Sequence, residues 1–316
     1  MTSIVFLSRL EPAAAEASRA LLETALGEVI LTGPPHRDLT PDEVAAIEIA
    51  VVANPLPGIL HTLPNLRFIQ SLWAGIDGLM ADATLPRRVP IARLVDPALA
   101  DAMAEAVAAH VLALHRQLPA YRRQQAARQW LMHQQPLATE RRVGFLGLGE
   151  MARRAIAVLR PLRFDIGGWS RRPARLDGVA TFHGDHGFAA LLARSEILVN
   201  LLPLTAQTRG ILNAATFAKL PRGASIINFG RGGHQVPGDI IAALNSGQLD
   251  QAVLDVFATE PLPPDDPLWT HPQVTVTPHV AAATDPRSAA QCVAANVAAL
   301  RAGGAMVGLV DVGEGY

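Results

Sequence analysis

Three side chains with complementary chemistry each follow a run of residues that has the composition of a buried β-strand. They are Arg231, Glu260 and His279. A guanidinium can orient a carboxylate and polarise a nearby ketone, whereas an imidazolium can protonate a developing alkoxide. A carboxylate bonded to the other imidazole nitrogen would fix the tautomer of the ring. The set suits reduction of a 2-oxo acid, although each residue alone is also explained as an ordinary polar residue of a loop or turn.

A glycine-rich turn adds a second chemical feature. It follows the aliphatic run 143–146 and precedes a helical pattern at 153–159. Its glycines permit a tight turn and close approach of backbone N–H groups to a pyrophosphate, and the helix start favours the anion. The context favours a dinucleotide site over a plain strand–turn–helix connection. The residues predicted to form it are Gly147, Leu148, Gly149, Glu150 and Met151.

The end of the next predicted strand indicates which dinucleotide binds. An NAD-binding domain usually carries an acidic residue there, which binds the ribose hydroxyls. This chain has Ser170, Arg171 and Arg172 instead. A hydroxyl and two guanidinium groups can bind a 2′-phosphate through charge-assisted hydrogen bonds. The sequence therefore predicts NADP(H); the alternative is two surface arginines in a loop.

The composition limits the kind of protein. Half of the 316 residues are apolar and 17% are charged, which suits two folded domains. The net charge of −1 gives no long-range attraction for nucleic acid or an anionic membrane. The single cysteine, Cys292, excludes an internal disulfide and a cysteine-based zinc site, and its helical surroundings predict a buried or half-buried thiol. Since neither a signal-like nor a membrane-spanning apolar stretch is found, we expect a cytoplasmic protein without a metal, acting on a small molecule.

Short aliphatic runs alternate with helical patterns along the chain, which is typical of parallel α/β architecture. The strands predicted in the first hundred residues are 4–7, 29–31, 49–53, 67–72 and 89–93. Those predicted further on are 143–146, 166–170, 197–201, 224–229, 252–257 and 274–277. The long helices are expected at 13–26, 98–118 and 286–301. The polar stretch 121–140 has two interpretations, a linker or a packed connection.

These motifs resemble the D-isomer-specific 2-hydroxyacid dehydrogenase family, and within it the bacterial glyoxylate/hydroxypyruvate reductases of the A type. The resemblance covers nearly the whole chain and is strongest from Val143 to Ala283. It is carried by the glycine turn, Trp169-Ser170-Arg171, 200–205 with Thr208, 228–232, 254–257 with 260–263, and 277–282. The segment 232–239 departs from the family, since it has more glycine and proline. His234 in that segment could reach the site, but a solvent-exposed position is favoured.

The resemblance implies two doubly wound parallel-sheet domains joined by two crossover helices, which follow Pro97 and Pro286. The flavodoxin-like substrate domain would contain 1–100 and 283–316, and the Rossmann cofactor domain 101–282. The implied catalytic residues are Arg231, which binds substrate, and the acid–base pair Glu260 and His279. Further implied cofactor contacts are Leu202, Pro203, Thr208, Phe229, Gly230 and Asp255, the last holding the nicotinamide carboxamide. The loop implied to hold the substrate carboxylate is Trp73-Ala74-Gly75, in which Trp73 either walls the pocket or lies in the core.

The resemblance further implies NADPH-dependent reduction of glyoxylate to glycolate and of hydroxypyruvate to D-glycerate, by a homodimer formed largely through the cofactor domains. One alternative is a broader D-2-hydroxyacid dehydrogenase that accepts bulkier 2-oxo acids. The other is a dinucleotide-sensing binding protein without catalysis, because the same fold also serves as a transcriptional corepressor. The complete set of Arg231, Glu260 and His279 disfavours that last alternative.

Overall fold

The computed structural model describes residues 3–313 and divides the chain into two compact units. The first unit contains the described residues up to Leu99 and from Thr284 onward, and the second is Ala100–Ala283. Each unit is built on one sheet whose strands are all parallel, which confirms the predicted fold class. Residues 1–2 and 314–316 of the predicted substrate domain lie outside the described residues.

Twelve strands and ten α-helices make up the described part of the chain. The strands are β1 (Ser3–Ser8), β2 (Leu31–Thr32), β3 (Ile47–Ala53), β4 (Phe68–Ser71), β5 (Ile91–Ala92), β6 (Arg142–Leu146), β7 (Asp165–Ser170), β8 (Ala180–His183), β9 (Ile197–Asn200), β10 (Ala224–Asn228), β11 (Leu249–Leu254) and β12 (Val274–Val276). The helices are α1 (Pro12–Leu26), α2 (Pro41–Ala46), α3 (Asp77–Met80), α4 (Pro97–His115), α5 (Leu118–Ala126), α6 (Glu150–Leu159), α7 (Gly184–Arg194), α8 (Ala214–Phe217), α9 (Pro237–Asn245) and α10 (Pro286–Arg301).

The first unit has the strand order β2-β1-β3-β4-β5, which is the flavodoxin-like order. β1 and β3 are almost completely buried, as expected of parallel strands that are covered on both faces. The strand predicted at 29–31 begins later, because the N–H of Ile30 donates to Glu23 Oε1 (3.1 Å) instead of joining the ladder. Val29 is consequently 84% exposed.

The second unit has seven strands in the order β12-β11-β10-β9-β6-β7-β8. The chain runs outward from β6 in one direction to β8 and then returns to the other side of β6 at β9. Open α/β sheets bind ligands outside the carboxyl ends of their strands at such a reversal. β8 was not predicted, because this edge strand has the short and only partly buried sequence Ala-Thr-Phe-His.

Helix α4 is long and apolar enough to span a membrane by length and composition alone, with a mean hydropathy of 1.4. Its apolar side chains follow helical spacing, and Met103, Val107 and Val111 are buried in the core of the second unit together with Phe145 of β6. Helix α4 is therefore a core helix of that unit.

Candidate active site

His279 and Glu260 are directly hydrogen-bonded. His279 Nδ1 lies 2.7 Å from Glu260 Oε2, while Glu260 Oε1 accepts from the backbone N–H of Phe257 (2.8 Å). The carboxylate therefore accepts a hydrogen bond from Nδ1–H, which keeps the proton on Nδ1 and leaves Nε2 available for proton exchange. The side chains of His279 and Glu260 are 47% and 36% exposed, so the pair is accessible to a ligand.

The loop that carries His279 is held by the buried carboxylate of Asp255, just beyond β11. Asp255 Oδ1 accepts from Thr277 Oγ1 (2.6 Å) and from the N–H of Val280 (2.9 Å), and Oδ2 accepts from the N–H of Ala281 (3.0 Å). His279 itself has a φ of 54°, a left-handed conformation that is unusual for a non-glycine residue. Since each carboxylate oxygen can accept two hydrogen bonds, Oδ2 keeps one acceptor position for a further donor. The predicted contact with a carboxamide is compatible with this geometry.

Arg231 follows β10, and its loop packs against the segment that holds Glu260. A Cβ atom built on Gly232 would overlap the carbonyl group of Phe257, so this approach requires glycine. The guanidinium of Arg231 donates from Nη1 to the carbonyl oxygen of Gly230 (2.8 Å). The second unit thus brings Arg231, Glu260, His279 and Asp255 to the carboxyl ends of three neighbouring strands.

The glycine turn between β6 and α6 fits a pyrophosphate. Gly147 has a φ of 93°, and a Cβ atom there would lie 3.0 Å from the carbonyl oxygen of Leu201. Gly149 precedes α6, receives no side-chain cap and has open space where a Cβ would be. The first N–H groups of α6, from Glu150 and Met151, therefore face an open region in which an anion is favoured. Arg153 Nε donates to the carbonyl oxygen of Leu148 (2.9 Å) and fixes the turn.

The predicted 2′-phosphate residues lie at the end of β7. Arg171 and Arg172 are exposed, and Ser170 Oγ donates to the carbonyl oxygen of Arg172 (2.7 Å). Trp169 anchors this strand end, because its indole N–H donates to the carbonyl oxygen of Gly184 (2.9 Å). Two exposed guanidinium groups at this strand end suit a phosphate better than ribose hydroxyls.

The remaining predicted cofactor residues lie in a turn after β9 and directly after β10. Thr208 Oγ1 donates to the carbonyl oxygen of Pro203 (2.7 Å) and closes the turn, while Leu202 is buried. Phe229 and Gly230 are also buried, directly after β10.

His234 is completely buried, so the expectation of a solvent-exposed histidine is wrong. It lies in a 3₁₀ turn, Gly232–His234, and its ring is hydrogen-bonded to residues that are distant in sequence. The sequence could not show this, because the partners Asn200 and Pro203 precede it by more than thirty residues.

A second histidine, His110 of α4, was also missed. Its ring meets Phe229 edge to face, with a centroid separation of 5.5 Å. Burial lowers its pKa below the ordinary value of 6.5, the carboxylate of Asp255 opposes that change, and Arg122 adds to it. The only sequence signal was the position of His110, which continues the helical spacing of Met103, Val107 and Leu114.

The predicted substrate loop lies in the first unit, after β4. The N–H of Trp73 donates to Ser71 Oγ (3.0 Å), and its carbonyl oxygen accepts from the N–H of Leu94 (2.9 Å). Trp73, Ala74 and Gly75 are all half-buried. Within residues 3–313, the buried indole N–H of Trp73 has no hydrogen-bond partner. Because such a donor is costly to leave unpaired, it suits contact with a ligand.

Comparison with known proteins agrees with this geometry. A family model described as "D-isomer specific 2-hydroxyacid dehydrogenase, NAD binding domain" matches residues 108–281. Glyoxylate/hydroxypyruvate reductase A of Yersinia enterocolitica is 40% identical over 278 residues, which are 85% of this chain and 88% of that protein.

Solved structures extend the similarity. A D-isomer specific 2-hydroxyacid dehydrogenase from Xanthobacter autotrophicus Py2, in complex with NADPH and MES, is 38% identical with a TM-score of 0.93, covering 100% of this chain and 99% of the other. An NADPH-dependent glyoxylate/hydroxypyruvate reductase from Sinorhizobium meliloti, in complex with NADP and sulfate, is 36% identical with a TM-score of 0.90, covering 100% of each. The chain belongs to the D-isomer specific 2-hydroxyacid dehydrogenase family.

Proposed function

We propose that this chain reduces small 2-oxo acids, namely glyoxylate and hydroxypyruvate, with NADPH. The observation that carries the proposal is the His279–Glu260 pair in the same unit as a phosphate-binding glycine turn. The names of the relatives from Yersinia enterocolitica and Sinorhizobium meliloti support the substrate class, and the NADP(H) complexes support the cofactor.

In this proposal the residues of the second unit have distinct roles. When bound, NADPH supplies the hydride. Arg231 binds the substrate carboxylate and polarises the ketone, and His279 Nε2 donates the proton to the ketone oxygen. Glu260 keeps the proton on Nδ1 and stabilises the imidazolium. Asp255 holds the loop of His279 in place and accepts a hydrogen bond from the carboxamide.

The remaining roles concern binding. The turn at Gly147–Met151 binds the pyrophosphate, and Ser170 with Arg171 and Arg172 binds the 2′-phosphate. Leu202, Pro203 and Thr208 border the adenosine end, while Phe229 and Gly230 line the nicotinamide. The first unit contributes the loop Trp73–Gly75, whose small residues Ala74 and Gly75 allow backbone N–H groups to approach a carboxylate.

A panel of substrates and cofactors tests this function. Oxidation of NADPH is followed by absorbance with glyoxylate, hydroxypyruvate, pyruvate and phenylpyruvate, and each is repeated with NADH. We expect the highest kcat/KM for glyoxylate and hydroxypyruvate with NADPH. Preference for phenylpyruvate would indicate a broader dehydrogenase, and tight NADPH binding without turnover of any oxo acid would indicate a dinucleotide-sensing protein.

We further propose that the chain is a cytoplasmic homodimer formed through the face around residues 130–132. Trp130 and Met132 are 96% and 92% exposed, yet the following residues fold back onto α5. The N–H of His133 and Nε2 of Gln135 both donate to Tyr121 Oη, at 3.1 and 3.0 Å. The stretch is thus a packed connection with an exposed apolar tip rather than a free linker.

An apolar groove of about 570 Å³ is lined by residues that include Leu112, Leu118 and Tyr121, and by Gln135, three residues beyond Met132. An exposed apolar segment and an apolar groove that are connected through Gln135 suit a symmetric contact with a second copy of the chain. Analytical ultracentrifugation should find a dimer for the wild-type chain and a monomer for Trp130→Glu. Val307→Glu, at an exposed apolar position of the first unit, is the matched control and should remain dimeric. A monomeric wild type would refute the proposal.

A further inference from the structure

The two ring nitrogens of His234 have different and well-defined partners. Nδ1 lies 3.0 Å from the backbone nitrogen of Arg231 and 3.0 Å from Asn200 Nδ2, and both of these groups are N–H donors. Nδ1 must therefore be the unprotonated nitrogen. Nε2 carries the proton and donates it to the carbonyl oxygen of Pro203 (3.2 Å). The ring is consequently neutral and in a single tautomer.

The orientations of the neighbouring amides support this assignment. Asn200 Oδ1 accepts from the backbone N–H of Leu202 (3.3 Å), which leaves Nδ2 of Asn200 to face the ring as a donor. Asn228 Oδ1 accepts from the same Nδ2 (2.9 Å) and from the N–H of Gly230 (3.2 Å). Because backbone N–H groups determine both amide orientations, the tautomer of His234 follows from backbone geometry.

We propose that His234 is a positioning residue that joins the substrate-binding arginine to the cofactor-binding turn. Its Nδ1 holds the backbone of Arg231, and its Nε2 holds Pro203, whose carbonyl oxygen also accepts from Thr208. A Cβ atom on Gly230 would lie 2.8 Å from Nδ1, so the backbone before Arg231 is packed directly against the ring. This inference deepens the proposed function and rests on it for the roles of Arg231 and Pro203.

Two substitutions separate the two contacts. The side-chain oxygen of Asn is as many bonds from Cβ as Nδ1 is, so His234→Asn retains an acceptor for Arg231 but loses the donor to Pro203. The side-chain nitrogen of Gln is as many bonds from Cβ as Nε2 is, so His234→Gln retains that donor but loses the acceptor. Loss of the acceptor leaves the buried N–H of Arg231 unpaired, so this backbone must shift and misplace the substrate-binding side chain. We therefore expect kcat/KM for the oxo acid to fall by about 10- to 100-fold.

Steady-state kinetics with glyoxylate and NADPH measure this separation. His234→Gln should lower kcat/KM for glyoxylate with little change in KM for NADPH, whereas His234→Asn should raise KM for NADPH and retain kcat/KM for glyoxylate within about threefold. His186→Gln, at an exposed position of α7, is the matched control and should behave as wild type. If both variants lower kcat/KM for glyoxylate and raise KM for NADPH to the same extent, His234 has a merely structural role and the proposal is overturned.

A second measurement does not depend on activity. A long-range proton–nitrogen NMR correlation spectrum of the wild-type chain should contain one histidine with protonated Nε2 and bare Nδ1 across the pH range in which the chain stays folded, and this signal should be missing in His234→Gln. If the signal that is missing in His234→Gln changes tautomer or becomes doubly protonated in the folded wild-type chain, the inference is overturned. An inactive wild type with this NMR signal would refute the proposed function and leave the tautomer assignment standing.

Discussion

The substitution Gly232→Ala examines the close packing between the Arg231 loop and the segment that holds Glu260. A Cβ atom at this position would overlap the carbonyl group of Phe257 and also crowd the backbone nitrogen of Ala258. Both neighbours are backbone atoms, which cannot rotate away as a flexible side chain can. One of the two loops must therefore move, and each holds a proposed catalytic side chain.

The size of the effect follows from the overlap. The loops must separate by on the order of 1 Å, and a misplacement of that size at a reacting centre costs about 100-fold in rate. We therefore expect kcat/KM for glyoxylate to fall about 100-fold, which corresponds to about 2.7 kcal/mol. The Kd for NADPH should change far less, because the atoms nearest to this Cβ position belong to Phe257 and Ala258 and not to the glycine turn or the end of β7.

Stopped-flow and steady-state measurements of NADPH oxidation, together with fluorescence titration of NADPH, would test this prediction. Gly238→Ala is the matched control, because Gly238 is exposed near the start of α9 and has open space at its Cβ position. Alanine there should leave kcat/KM unchanged and stabilise the helix by about 0.5–1 kcal/mol. A Gly232→Ala variant that folds with wild-type kcat/KM would refute the argument that this packing aligns Arg231 with Glu260.

Three further predictions concern the cofactor site and stability. The pair Arg171→Asp with Arg172→Ser should raise the Kd for NADPH about 10- to 100-fold and that for NADH little, as measured by fluorescence titration; equal losses would contradict a 2′-phosphate site. Because burial lowers the pKa of His110 in the folded chain, this histidine is protonated in the unfolded chain before it is protonated in the folded chain as the pH falls through 6.5. The folded chain therefore loses free energy of unfolding below that pH. The melting temperature of His110→Gln should depend less on pH in this range than that of the wild type, and an unchanged dependence would contradict the lowered pKa. In Asp255→Asn one of the N–H donors, such as that of Ala281, loses its acceptor. Chemical denaturation should therefore find a free energy of unfolding that is about 1–3 kcal/mol lower than that of the wild type, and an unchanged value would contradict this role.

The part of the fold that depends on strand composition was predictable from the sequence. Parallel strands covered on both faces are continuous aliphatic runs, so β6, β9 and β10 were identified within one residue of their ends. Two of the edge strands were predicted less well. β2 is displaced because Ile30 donates to Glu23, and β8 was missed because few of its residues are buried.

The candidate catalytic residues could be predicted because the chemistry of their side chains indicates a role without knowledge of their neighbours. His279 and Glu260 could be placed at one edge of the sheet, since the carboxyl ends of parallel strands meet there, and the resemblance to the family implied that they pair. The roles of His234 and His110 could not be predicted, because they depend on contacts with Asn200, Pro203 and Phe229 that only the folded chain creates. The sequence of the segment 232–239 favours a solvent-exposed histidine. His234 is nevertheless buried, and its burial is tolerated because both ring nitrogens are hydrogen-bonded to residues outside the segment.

The substitution His279→Ala tests the proposed proton donor. The kcat for glyoxylate reduction with NADPH should fall about 10²- to 10⁴-fold, the usual contribution of general acid catalysis, while the Kd for NADPH stays near the wild-type value. A His279→Ala variant that retains wild-type kcat would show that another group supplies the proton, and the His279–Glu260 pair would lose its assigned function.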